Sequence, residues 1–189
     1  MWLLHWLMGA NHAFGYRGDI VGFALVFLVS PVGVFLHEAG HALPALLLTR
    51  GNVDMHVGAK GPGMHLRAGR FRMTLHAWPD GEEDRAGWVR HQPTRVIWML
   101  VITSGGPLFS CLGAVAGGTL AQRFALGSPP SLLFAALWFA CSAHTVISLT
   151  GSDGATLRWL WRYARTWRPP PEDPNAATSV APPSAEAAG

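Results

Sequence analysis

Phe35-Leu36-His37-Glu38-Ala39-Gly40-His41-Ala42-Leu43 sits inside an apolar run, Ile20 to Leu48, that holds no Asp, Lys or Arg. Two histidines four residues apart on a helix project from one face, about 6 Å apart, and can share one zinc ion. Glu38 stands beside them. A carboxylate one residue after the first ligand can reach a water on the metal, take its proton and pass it to a leaving amine. Short matches of this kind recur by chance, but ionisable groups in a membrane-length apolar segment are costly to bury and point to function. The bland alternative is that the two histidines and the glutamate satisfy one another in a helix bundle.

Composition agrees with a membrane setting. The chain is 50% hydrophobic and 13% charged, against roughly 25% charged in ordinary soluble domains. Its 189 residues suffice for one domain. The net charge of +3 comes from 14 basic and 11 acidic residues, with Lys60 the sole lysine. Basic and aromatic residues alternate only beside the last apolar run, where attraction to a membrane surface accounts for them, so nucleic-acid binding is not expected. Cys111 and Cys141 lie in apolar runs, which argues against a disulfide framework.

The apolar pattern predicts a membrane α-helical fold with about three spans, near 20–48, 96–121 and 131–149, and a polar insert over 50–95. The first run could extend roughly 43 Å as a helix, more than the roughly 30 Å hydrocarbon core, so it must tilt, kink or overrun; Pro31 is a plausible kink. Met1 to Phe14 lacks a basic start and makes a poor signal peptide. Its tryptophans suit a short interfacial helix.

Within the insert, Val53 to Val57 and Phe71 to His76 alternate in the period of a strand, with glycines and Asp80-Gly81 as punctuation, which predicts a small antiparallel sheet of two to four strands. His56, His65 and His76 read as solvated rather than as a second metal site. In the second run, Ser104-Gly105-Gly106-Pro107 fits close helix packing or a substrate-contacting kink. The third run ends in Thr150-Gly151-Ser152-Asp153-Gly154. Asp153 is the preferred third ligand, with an N-cap as its plain role. His144, nine residues earlier, falls on the opposite face. Ala155 to Arg168 reads as a tryptophan- and arginine-rich surface helix, closing a single domain over 1–168, and the Pro-, Ala- and Ser-rich 169–189 as a disordered tail. Twelve of the 14 basic residues fall in the insert and the C-terminal segment. The positive-inside bias therefore places both in the cytoplasm, and the metal on that side.

In order along the chain, four features resemble the site-2 protease family of intramembrane zinc metallopeptidases. They are His37-Glu38-Ala39-Gly40-His41, the segment Gly51-Asn52-Val53 through Gly61-Pro62, Gly106-Pro107-Leu108-Phe109-Ser110, and Asp153-Gly154. The resemblance covers roughly 33–160 and implies a minimal three-helix core. It implies Zn²⁺ on His37, His41 and Asp153, Glu38 as catalytic base and acid, and Gly106, Pro107 and Ser110 as substrate contacts. It further implies cleavage of a partner's transmembrane segment, in a bacterial inner membrane. The family often has asparagine where Ser110 stands, and an Asn-Pro lead into Asp-Gly where this chain has Ser148 to Ser152. The reading from another class is a catalytically silent, metal-binding membrane scaffold.

Overall fold

The computed structural model describes residues 18–58, 60–78, 87–92 and 95–164. The interfacial N-terminal segment and the tail expected above lie outside them. Helix α1 spans Gly18–Leu48 and runs without a break through Pro31 and Pro44. Four strands follow, β1 Val53–Val57, β2 Lys60–Ala68, β3 Phe71–Trp78 and β4 Gly87–Arg90. Helices α2, Val96–Ala121, and α3, Pro129–Thr150, come next, and α4, Ser152–Tyr163, starts almost directly after α3.

Among the described residues, three helices, α1, α2 and α3, are long and apolar enough to cross a membrane. Their most apolar stretches are only 22–33% buried within the protein. Phe23, Phe27, Leu28, Leu47 and Ile147 are each more than 60% exposed. Apolar side chains lining the outside of a helix bundle need a non-aqueous neighbour, because leaving them in water forgoes about 25 cal/mol per Å² of burial.

The inner faces of the bundle are built from small residues. Gly40 on α1 and Gly105 on α2 meet backbone to backbone: a Cβ on either would strike the other's carbonyl oxygen. Pro44 has no N–H with which to occupy the Gly40 carbonyl along the helix, so that oxygen is free to face the Gly105 Cα, a geometry suited to weak Cα–H···O contact. On the α3 side, Val29 packs with Ala136 and Ala140, and a Cβ on Gly33 would stand 3.2 Å from the His144 ring.

The sheet has the order β2-β3-β1-β4. It is not the all-antiparallel sheet that the alternation suggested: β1 runs parallel to β3, with Val53 opposite Phe71 and Val57 opposite Leu75, while the β2–β3 and β1–β4 pairs are antiparallel. Burial explains the inserted β3. Val53, Met55 and Val57 are 0–6% exposed and pack with Val34, Ala42, Ala45 and Ile102; Phe71, Met73, Leu75 and Val89 join the same face. The glycine- and proline-containing β2 has no such stripe and is left at the edge, where Pro62 costs no ladder bond. A β2–β3 hairpin turning at Gly69, whose φ is +59°, delivers β3 next to β1. Arg70 then ties the sheet to the segment that leaves α1, donating to the carbonyls of Thr49 and Gly51.

If the glycine crossing sets the α1–α2 spacing, Gly105→Ala forces backbone apart rather than a side chain. A loss of at least about 1–3 kcal/mol is expected, read as a lowered unfolding temperature of the detergent-solubilised protein.

Candidate metal centre

The crossing of α1 under α2 decides what His37 and His41 face. Both lie on the α1 side turned to α2, and a Cβ on Gly106 would overlap the His41 ring and stand 2.8 Å from His37 Cε1. Glycine at 106 is what leaves room for the two imidazoles. Their rings are 4.9 Å apart and nearly perpendicular, at 86°.

Each imidazole is held from behind by its Nδ1. His41 Nδ1–H donates to the Ile102 carbonyl over 2.8 Å. A carbonyl only accepts, so the proton is on Nδ1 and, in the neutral ring, Nε2 presents a lone pair. His37 Nδ1 lies 3.0 Å from Ser110 Oγ. The two Nε2 atoms converge at 3.2 Å.

The third group arrives from the far end of the chain. Asp153 stands in the first turn of α4, whose N-cap is Gly151. The Asp153 carboxylate turns into the bundle, with Oδ2 3.0 Å from His37 Nε2 and 3.4 Å from His41 Nε2. It also accepts a hydrogen bond from Ser148 Oγ at 2.6 Å. Burial works against the ionised carboxyl, but hydrogen bonds with His37, His41 and Ser148 hold it well below the usual carboxylate range.

Two imidazole nitrogens and a carboxylate oxygen thus meet at one point. Acceptors do not cluster without positive charge between them, either a proton or a cation. His37, His41 and Asp153 form a group that could hold a metal ion. His144 is not among these atoms. Its ring lies 6.2 Å from that of His37 and roughly parallel to it, so it packs against the histidine face instead.

Beside this point opens a cavity of about 410 Å³ lined by His37, Glu38, His41 and Asp153, by Ile102 and Thr103, and by Gly87, Trp88, Val89 and His91 of β4 and its exit. Glu38 is 6% exposed. A Cβ on Gly87 would stand 2.8 Å from Glu38 Oε1, so the strand passes directly over the carboxylate. Pro107 has no N–H for the carbonyl of Thr103, itself a residue of the cavity wall. Outside it, Trp88 stacks on His56 at 3.8 Å and carries the Arg90 guanidinium 5.1 Å over its ring, fastening β4 to β1. Burial pushes the His56 pKa down and so favours the neutral ring in this stack.

Of the residues expected at the site, His37, Glu38, His41 and Asp153 come together. Gly106, Pro107 and Ser110 are buried in α2: Gly106 faces the imidazoles and Ser110 the back of His37, and none of the three lines the cavity. Sequence reasoning missed β4. Gly87-Trp88-Val89-Arg90 is too short to show a period. His56, His65 and His76 stay on the sheet, outside the group formed by His37, His41 and Asp153. No protein-family model, curated protein or solved structure matches the chain.

Elemental analysis of purified protein should find close to one divalent metal per chain, lost in His37→Ala and Asp153→Ala and kept in His144→Ala.

Proposed function

We propose that this chain is an intramembrane zinc metalloendopeptidase of the site-2 protease type, which hydrolyses peptide bonds in or near transmembrane segments of partner proteins. The single observation that carries the proposal is Glu38. A metal needed only for structure has no use for a further carboxylate beside its ligands, yet Glu38 lines the cavity that opens on the converging ligands. The ligand set fits zinc. Atoms separated by 3.0, 3.2 and 3.4 Å approach the edge of about 3.4 Å expected for a tetrahedron with bonds near 2.0–2.1 Å. Three protein ligands leave the fourth position open, which is the pattern of catalytic rather than structural zinc.

Bound there, zinc supplies Lewis acidity: it polarises a carbonyl and makes water a competent nucleophile near neutral pH. The chain's own residues do the rest. Glu38 takes a proton from the attacking water as its oxygen bonds to the substrate's carbonyl carbon. It then returns that proton to the amide nitrogen as the C–N bond breaks, giving a carboxylic acid and an amine. His37, His41 and Asp153 stay fixed throughout, held by α2, α3 and α4.

A helical substrate hides its carbonyls in its own hydrogen bonds, so it must be held extended. β4 is the last strand of the described sheet, and its residues line the same cavity as Glu38. Its outer edge offers backbone donors and acceptors for strand addition. Arginine-rich segments on the sheet side favour the cytoplasmic face of a bacterial inner membrane.

Glu38→Gln keeps the shape and removes the proton acceptor. Cleavage of a membrane-embedded test substrate should fall by at least about 100-fold while zinc content stays at the wild-type level. Unchanged cleavage would refute the peptidase reading and leave the silent scaffold.

A further inference from the structure

Behind the three converging ligand atoms stand two serines on two different helices. Ser110 of α2 is 0% exposed, with its Oγ 3.0 Å from His37 Nδ1. Ser148, in the last turn of α3, is 9% exposed and its hydroxyl donates to Asp153 Oδ2 at 2.6 Å. Neither lines the cavity. They occupy the positions where the resemblance led to an expectation of asparagines or of contact with substrate.

We propose that Ser110 and Ser148 are positioning residues of the metal centre, Ser110 for the tautomer and ring angle of His37 and Ser148 for the rotamer of Asp153. The proposal rests on the reading of His37, His41 and Asp153 as ligands to one zinc ion.

The need differs from ligand to ligand. His41 is oriented by a backbone carbonyl, that of Ile102, which no substitution removes. His37 has a side chain in that place. With the Ser110 Oγ accepting from Nδ1–H, the His37 lone pair is on Nε2, 3.2 Å from His41 Nε2. Without Oγ the ring is free to carry its proton on Nε2, where it would point at the metal position. Ser110 is 0% exposed, so bulk water does not reach this position.

Asp153 has two free torsions at the start of a new helix and follows Gly151, a link with φ −95° and ψ −132° that belongs to neither helix. Ser148 reaches across this break from α3 and holds the oxygen that faces both histidines. Every ligand thus has a partner from an element other than its own: α2 for His37 and His41, α3 for Asp153. Partners of this kind fix ligand orientation, and their loss typically costs 10–100-fold in metal affinity.

The test is competition between the detergent-purified full chain and a chelator for Zn²⁺, paired with the visible absorption of the Co²⁺-loaded protein. Ser110→Ala and Ser148→Ala should each weaken zinc binding about 10–100-fold and alter the cobalt bands. Ser148→Thr, which keeps the hydroxyl, should restore both. Thr145→Ala, which removes a hydroxyl bonded to the α3 backbone, should change neither. Wild-type affinity and spectrum in both alanine variants would overturn the proposal. So would a loss that Ser148→Thr fails to restore or that Thr145→Ala shares, since that pattern belongs to general helix packing. Binding is read without cleavage, so serine-dependent zinc affinity in a chain that cuts nothing would refute the peptidase and leave this assignment standing.

Discussion

Two imidazole nitrogens and a carboxylate oxygen pointing at one another are unstable unless something positive, a proton or a cation, lies between them, and the described fold converges on such a point. His41 has no choice in the matter: its Nδ1 proton is committed to the Ile102 carbonyl, so its Nε2 is an acceptor when the ring is neutral. Asp153 adds a carboxylate within 3.4 Å of both rings. In a segment surrounded by apolar side chains, such an arrangement costs several kcal/mol unless it is compensated. A bound cation compensates all three groups at once.

The rest of the bundle is arranged to make that meeting possible. Helices carrying bulky residues at their contact would keep α2 too far from α1 for Ile102 to reach His41. The Gly40–Gly105 crossing removes that spacing, and Gly106 then leaves space for the rings. The abrupt step from α3 to α4 at Gly151 brings Asp153 back toward a motif more than 100 residues earlier. The sheet contributes from the opposite side. Its apolar face is anchored to α1 through Val53, Met55 and Val57, and that anchoring lays β4 across Glu38. A site assembled from four helices and one strand opens on a cavity that β4 lines.

The helices were legible because their signal is long: twenty or more apolar residues leave little doubt about an element, and the observed α1, α2 and α3 agree with the expected spans within about two residues. The motif on α1 was legible because two histidines and a glutamate have no ordinary place in such a run. Helix geometry set Asp153 and His144 on opposite faces, and the Asp153-Gly154 pair, which resembles the family's, favoured Asp153. What stayed hidden depends on tertiary partners. The parallel pairing of β1 with β3 follows from which strand can share a buried face, a property of three segments together. The four residues of β4 carry too little pattern to be recognised. Ser110 was expected to contact substrate and Ser148 stood only as part of a departure from an Asn-Pro lead; the crossing helices show what their hydroxyls touch. Gly87 reads as an ordinary loop glycine until Glu38 is seen beneath it.

The central claim is that His37, His41 and Asp153 share one zinc ion, and X-ray absorption at the zinc edge of the loaded protein tests it most directly. The account predicts a four-coordinate shell of nitrogen and oxygen at about 2.0–2.1 Å, with the outer scattering of two imidazoles and no sulfur. A sulfur shell near 2.3 Å, implicating Cys111 or Cys141, or a shell without imidazole would contradict it.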